Sequence, residues 1–284
     1  MSRFTDKVAI ITGSSNGIGQ ATARLLASEG AKVTVTGRNA ERLEETKNIL
    51  LGAGVPEGNV LVVVGDITQE SVQENLIKST LDKFGKIDIL VNNAGAGIPD
   101  AQGKSGVNQS IDTYHKTFEL NVQSVIEMTQ KARPHLAKTQ GEIVNISSIG
   151  AGPAAQVASP YYSIAKAALD QYTRTAAIDL VPEGIRVNSV SPGAVSTGFS
   201  AVSRGLTEEK SKAFYDYLGA QRECIPRGFC AVPEDIAKVI AFLADRNASN
   251  YIIGQTIVAD GGTSLILGAH AHGAKMMQAV FKEL

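Results

Sequence analysis

Seven short runs rich in Val and Ile constrain the fold of this chain more than any other feature. They are "KVAIIT" (7–12), "AKVTVT" (31–36), "NVLVVV" (59–64), "IDILVN" (87–92), "GEIVNI" (141–146), "GIRVNSV" (184–190) and "GQTIVA" (254–259). The runs are apolar throughout rather than alternating. Strands of that kind must be covered on both faces, as in a parallel sheet. Longer segments with helical spacing lie between them, such as "IGQATARLLASEG" and "NAERLEETKNILLG". Gly30 and Gly52 end these two segments as expected C-caps. Alternation of this kind builds helical crossovers between parallel strands. The expected fold class is α/β: one doubly wound domain over residues 1–284, with a parallel sheet of about seven strands and helices on both faces.

Two segments depart from the alternation. Residues 96–110 read as a loop, and residues 194–232 contain a helical piece, "TEEKSKAFYDYLGAQ", with no strand after it. Neither has the character of an independent domain. The tail, 263–284, is weakly patterned and reads as a helix or an arm.

With 284 residues and 43% hydrophobic content, the chain can fill one large core. Its net charge of -1 argues against a general nucleic-acid or anionic-membrane binder. Cys224 and Cys230 are the only cysteines, too few for a disulfide framework or a cysteine-based zinc cluster. The opening "MSRFTDKVAIITG" has neither signal nor transit character, no apolar stretch is long enough to span a bilayer, and "FKEL" is not a sorting address. A cytoplasmic protein with no membrane partner is expected. His270 and His272 form an H-x-H in the tail, without further ligands near in sequence, so no metal site is expected.

"TGSSNGIG", residues 12–19, follows the first strand and opens the first helix. Gly13, Gly17 and Gly19 permit a tight turn and close backbone approach, and the N–H groups of the helix start then face an anion. No Gly-Lys-Ser/Thr follows, so this is not a P-loop, and the spacing is GxxxGxG rather than GxGxxG. In this strand–turn–helix setting a pyrophosphate site is the preferred reading over a structural turn.

A dinucleotide fold reads the ribose at the end of its second strand, where an acidic residue selects NAD. Here that end is "VTVTGRNAERL", with Arg38 and no carboxylate; Asn39 reads as the next N-cap. A cation there opposes the helix dipole by about 0.3–1 kcal/mol, and a 2′-phosphate would reverse that cost. NADP is therefore favoured over NAD, the alternative being a solvated arginine and an indifferent site. Asp66, after the third strand, can accept from the adenine amino group or cap the helix starting near Gln69, where Thr68 is the better cap. In "NNAGAG" (92–97), Asn92 suits a structural tie between strands, and Asn93, Ala94 and Gly95 suit a cofactor-lining segment.

"SPYYSIAKAAL" (159–169) places two tyrosines beside one another and a lysine just beyond. On a helix, residues four apart lie within roughly 40° of each other and residues five apart roughly 140°. Tyr162 therefore shares a face with Lys166, while Tyr161 suits packing or a substrate wall.

Together these motifs resemble the classical short-chain dehydrogenase/reductase family. The resemblance runs from about residue 5 to 262 and rests on an ordered set: TGSSNGIG, Asp66, NNAG at 92–95, Asn121, Ser148, Tyr162-Ser-Ile-Ala-Lys166, and "SPG" at 191–193 with Thr197. Asn16 stands where many NADP-preferring members carry a basic residue. The resemblance implies a Rossmann-like fold, an NAD(P) cofactor and hydride transfer to or from an alcohol or carbonyl. It implies a catalytic set of Asn121, Ser148, Tyr162 and Lys166. The cofactor contacts it implies are Gly13, Ser15, Asn16, Gly17, Ile18, Gly19, Arg38, Asp66, Ile67, Asn93, Ala94, Gly95, Tyr162, Lys166, Pro192, Gly193, Val195 and Thr197. Lys166 would bind the nicotinamide ribose, and Asn121 would help hold a water connecting the lysine to solvent.

These residue types suit the reaction. Reducing a ketone needs a hydride on carbon and a proton on oxygen. A tyrosine with a pKa of about 10 is roughly 4 kcal/mol short of ionising at pH 7. An ammonium about 4 Å away, at an effective dielectric of about 20, supplies up to ~4 kcal/mol, less the cost of desolvation. Tyr162 is the expected acid/base, Lys166 its modulator, and Ser148 the group holding the substrate oxygen. The substrate wall is expected from 96–110, 149–160 and 198–230, the loops beyond the carboxyl ends of the strands, which carry few charges near the expected site. They point to a moderately apolar alcohol or carbonyl substrate. By resemblance the assembly is a homodimer or homotetramer through helices near 110–138 and 160–181. The competing classes are a catalytically silent NADP-binding regulator or scaffold, and a dehydratase or epimerase on the same fold.

Overall fold

The computed structural model describes residues 2–153, 155–198 and 206–267. All seven expected strands form: β1 (Val8–Ile11), β2 (Lys32–Gly37), β3 (Val60–Val64), β4 (Ile89–Asn92), β5 (Glu142–Ile146), β6 (Arg186–Pro192) and β7 (Thr256–Ala259). They make one parallel sheet in the order β3-β2-β1-β4-β5-β6-β7. The order reverses between β1 and β4, and ligands in such sheets bind beyond the carboxyl ends of the strands at that point.

The helices are α1 (Gly17–Ser28), α2 (Ala40–Gly52), α3 (Glu70–Phe84), α4 (Ile111–Phe118), α5 (Ser124–Thr139), α6 (Pro160–Leu180), α7 (Glu208–Ala220) and α8 (Pro233–Ala244). Successive strand residues point to opposite faces, so the apolar runs feed two cores. Ala9, Ile11, Val91, Val144 and Val190 pack under α1 and α8; Ile10, Leu90, Ile143 and Val187 pack under α3, α5 and α6. The two edge strands each keep one valine exposed, Val64 on β3 and Val258 on β7.

Several helix ends differ from expectation. Gly30 follows α1 with φ +97°, as a left-handed C-terminal glycine should. Gly52 is instead the last residue of α2, and Gly54, φ +86°, takes the left-handed position. Asn39 does cap α2, its Oδ1 accepting from the Arg42 N–H at 2.9 Å. Neither Asp66 nor Thr68 caps α3, whose N-cap is Gln69. Asp66 folds back on its own loop, accepting from the Thr68 N–H and hydroxyl.

The 96–110 segment is a loop tied to one carboxylate. Asp100 accepts from the N–H groups of Gln102, Lys104 and Ser110 and from the Thr113 hydroxyl. These bonds, led by Ser110, hold its carboxyl well below the usual range. The helix expected within 207–221 forms as α7, with the Thr207 side chain as N-cap. The tail beyond 267, with His270 and His272, lies outside the described residues, so the helix-or-arm reading there is not addressed. Among the described residues no group of three His, Cys, Asp or Glu is placed to hold a metal, and no helix is long and apolar enough to cross a membrane.

Candidate active site

The glycine turn is built from both sides of the strand-order reversal. The Asn93 side chain donates to the carbonyls of Thr12 and Gly13, at 2.9 Å each. The Thr12 hydroxyl accepts from the N–H groups of Asn93 and Ala94. Gly13 and Gly17 both have positive φ, +64° and +55°. A Cβ on Gly19 would lie 2.4 Å from the Gly13 carbonyl oxygen, so any side chain there breaks the turn. A Cβ on Gly17 would lie 3.2 Å from Thr197, which brings the segment after β6 against the turn. Asn16, the N-cap of α1, accepts no helix N–H through its side chain, and the first turn carries no acid. The helix start is thus left to an outside anion, a fit to the diphosphate of a dinucleotide.

At the far ends of β2 and β3, Arg38 Nη1 lies 3.8 Å from Asp66 Oδ2, with the arginine side chain 72% exposed. Arg42, on the first turn of α2, lies 3.6 Å from Glu208 at the start of α7. The rim at the ends of β2 and β3 thus carries two arginines, each beside a carboxylate. The side chains of Ile67 and Val195 pack into the two cores, and that of Asn93 is committed to the glycine turn. Pro192 ends β6, and a Cβ on Gly193 would strike the Asp260 Cα at 2.8 Å. Ser15 lies against Gly37 at the end of β2, and Ile18 packs on the α1 side of the core.

The central cluster comes from four elements. Tyr162 and Lys166 share a face of α6, with Lys166 Nζ 5.7 Å from the Tyr162 ring centroid. Lys166 is 3% exposed, and its ammonium donates to the Ile146 carbonyl at the end of β5, at 2.8 Å. Ser148, two residues beyond β5, shares a hydrogen bond with Tyr162, and its hydroxyl accepts from the Gly150 N–H. Asn121 sits in a π-helical turn, Glu119–Gln123, between α4 and α5. Such turns recur at functional sites because they displace one residue from the helical ladder. Its side chain donates to the carbonyls of Ala96 and Thr117 and accepts from the Ala96 N–H. Gly95 lies between the two: a Cβ there would sit 2.8 Å from Asn121 Oδ1 and 3.0 Å from Lys166 Nζ. Only a glycine at 95 leaves room for the Asn121 amide and the Lys166 ammonium to stand there together.

Burial governs the titration of this cluster. It pushes the Tyr162 phenol up to about 12, with the Ser148 hydrogen bond pulling the other way and Tyr215 adding to the rise. It pulls the Lys166 ammonium down to about 8, opposed by Asp170 one turn further along α6. Tyr161 turns elsewhere. Its hydroxyl donates to the Gln109 carbonyl and its ring meets Tyr114 edge-on, pinning the 96–110 loop to α6.

Two residues near the cluster are not singled out by the sequence motifs. Asp170 accepts from Thr256 at 3.4 Å and bonds Ser147. Tyr215, on α7, is 6% exposed and bears electrostatically on Tyr162. The i, i+4, i+8 spacing of Ser211, Tyr215 and Gly219 is a sequence signal for the inner face of α7.

Comparison with known proteins agrees with this geometry. The family model described as Enoyl-(Acyl carrier protein) reductase matches residues 13–264. Meso-2,3-butanediol dehydrogenase of Serratia marcescens is 34% identical over 92% of this chain and 96% of its own length. Dehydrogenase/reductase SDR family member 4 of Homo sapiens is 35% identical over 92% of this chain and 88% of its own. Among solved structures, a short-chain dehydrogenase/reductase of unknown function from Caenorhabditis elegans, with cofactor, superposes with a TM-score of 0.93. It is 61% identical and covers 95% of this chain and 99% of its own. The glucose dehydrogenase of the same organism, in the apo form, is 56% identical with a TM-score of 0.80, covering 93% of this chain and 100% of its own.

Proposed function

The chain belongs to the short-chain dehydrogenase/reductase family, and from that premise we propose that it interconverts an alcohol and a carbonyl with NADP in preference to NAD, using Tyr162 as acid/base. The observation that carries this reading is one connected cluster: Tyr162 bonded to Ser148 and beside Lys166, with Lys166 and Asn121 meeting at the bare face of Gly95. When bound, the coenzyme supplies or accepts the hydride. The chain's own groups do the rest. Ser148 holds the substrate oxygen beside the phenol, and Tyr162 gives or takes the proton on that oxygen. Lys166, anchored on the Ile146 carbonyl, keeps positive charge beneath the phenol and is in reach of a ribose. Asn121 clamps Ala96, so the segment carrying Gly95 holds its shape.

With its pKa pushed up to about 12, the free protein keeps the phenol protonated at neutral pH, the form a carbonyl reduction consumes. Arg38 and Arg42 at the rim, with no carboxylate on β2, support NADP. Names of relatives that include a butanediol and a glucose dehydrogenase support an alcohol substrate. A cytoplasmic setting fits free Cys224 and Cys230. A homodimer or homotetramer through α5 and α6 fits the exposed Ile164 and Ile178.

The test is Tyr162→Phe, followed by absorbance of the reduced coenzyme. Turnover falls by about 10²–10⁴-fold, while NADP binding by calorimetry persists. Undiminished turnover would reject the assignment of Tyr162, and coenzyme binding without turnover in the unmodified protein would favour the regulator reading.

A further inference from the structure

Resting on the oxidoreductase reading above, we propose that Asp170 is a positioning residue for the reaction: its carboxylate holds Lys166 in the charged form and, through Ser147, fixes the end of β5 on which that lysine is anchored.

Tyr162, Lys166 and Asp170 stand at i, i+4 and i+8 on α6, so they form one row along the helix, each a turn from the next. The mechanism uses the first two. Asp170 is half-buried, and its bonds go to hydroxyls. Thr256 Oγ1, on β7, donates to it at 3.4 Å, and Ser147, the residue after β5, bonds it as well. Ser147 is 3% exposed and tied on two further sides. Its N–H donates to the Val190 carbonyl on β6 at 2.8 Å, and its hydroxyl lies 3.4 Å from the Lys166 carbonyl. The carbonyl just before it, that of Ile146, accepts from the Lys166 ammonium at 2.8 Å. Asp170 thus holds the residue next to the lysine's anchor, from one turn further along the same helix.

A carboxylate is a costly way to satisfy two hydroxyls in a half-dry site, and an asparagine would do so without a charge. What an asparagine lacks is the field. Burial pulls the Lys166 ammonium down, to about 8 with Asp170 opposing it. The support is mutual: burial raises the Asp170 carboxyl, and Ser147, Thr256, Arg174 and Lys166 lower it. The elements packed against this row bring no further charge to it. They present the Ile146 carbonyl and Ser147 at the end of β5, Thr256 on β7 and the Asn121 amide in the π-helical turn. The remaining titratable groups are Tyr162 itself and Tyr215 on α7. An ammonium that loses its proton no longer favours negative charge on the phenol oxygen. Asp170 therefore extends, at the alkaline end, the pH range in which Tyr162 and Lys166 work together.

The experiment titrates the lysine directly, by nuclear magnetic resonance of protein isotope-labelled at the lysine Cε, with Lys166→Met identifying its signal. In the unmodified protein the midpoint falls near 8. In Asp170→Asn it drops by about one pH unit, the lower end of the effect of an opposite charge, and in Asp170→Glu it stays near the original. Carbonyl reduction follows the lysine: the ratio of kcat/KM at pH 9 to that at pH 6 falls about tenfold in Asp170→Asn, one unit of midpoint, and is kept in Asp170→Glu. A merely structural role would lower activity at both pH values together and leave the midpoint in place, which would overturn the assignment. Should Asp170→Asn not fold, Asp170→Ser, which keeps a hydroxyl and drops the charge, decides by the same midpoint. An unmodified protein that turns over no alcohol or carbonyl defeats the oxidoreductase reading itself, whereas turnover with an unmoved midpoint defeats only the role of Asp170.

Discussion

At the amino end of the sheet, Glu142 lies between Arg186 and Arg246, 2.7 Å from each. At the carboxyl end, Lys166 is just as buried but donates to a carbonyl, and no carboxylate comes within ion-pair distance among the described residues. Both ends bear the cost of dehydration. Burial pushes the Glu142 carboxyl up to about 7 and pulls Arg186 down, as it pulls Lys166 down and lifts Tyr162. The difference lies in what offsets that cost. Arg186 also donates to the carbonyls of Ser249, Ile252 and Leu243, so opposite charges and carbonyls together pin α8 and the β6–β7 connection. The carboxyl end leaves a buried cation bonded to a carbonyl and to no carboxylate, a deficit that an anionic coenzyme can fill. Sites built for chemistry give up stability in this way.

The largest effect should come from Lys166→Met. Turnover falls by about 10²–10⁴-fold, the range for losing an acid/base partner, yet the protein becomes more stable. The ammonium's folded pKa of about 8 lies below its ordinary 10.5, so the unfolded state holds more protons between those values. Stability of the unmodified protein from this group therefore rises from pH 8 to 10.5, and below that window its penalty is fully present. Tyr162 acts oppositely, its contribution being lost as pH climbs from 10 to about 12. Urea unfolding at pH 7 should show Lys166→Met gaining about 1–3 kcal/mol; a loss would break the contrast between the two ends.

Glu142→Leu probes the other side. It strands the Arg186 guanidinium in a dry setting, and unfolding free energy falls by about 3–5 kcal/mol. KM for coenzyme in the folded fraction stays at its original value; a specific loss of coenzyme affinity would mean that the two ends are not separate. Arg38→Asp sharpens the picture at the rim. Losing a charge-assisted contact and gaining repulsion shifts the NADP-to-NAD affinity ratio by at least about tenfold. A ratio that stays put removes Arg38 from the reading.

Strand positions were the most legible part of the sequence, because an unbroken run such as "NVLVVV" has no stable place outside a covered sheet. Tyr162 over Tyr161 was legible too, since helical pitch alone separates them. Cap positions were less so: whether Gly52 or Gly54 ends α2 turns on a single backbone angle that sequence pattern does not register. Asp66 was ambiguous because a carboxylate can serve its own loop as readily as a ligand, and here it bonds Thr68. Tyr215 carried no motif; only the fold brings it near enough to bear electrostatically on Tyr162.

Local and periodic properties, then, were determined by the chain itself: strand runs covered on two faces, a glycine turn that tolerates no Cβ, and a tyrosine and lysine one helical turn apart. Tertiary structure alone decided which buried groups meet oppositely charged partners and which face only a carbonyl. Those meetings join residues such as Glu142 and Arg246, 104 positions apart, and depend on packing two cores against one sheet. Electrostatic energy follows distance and dehydration, and neither is a function of position along the chain.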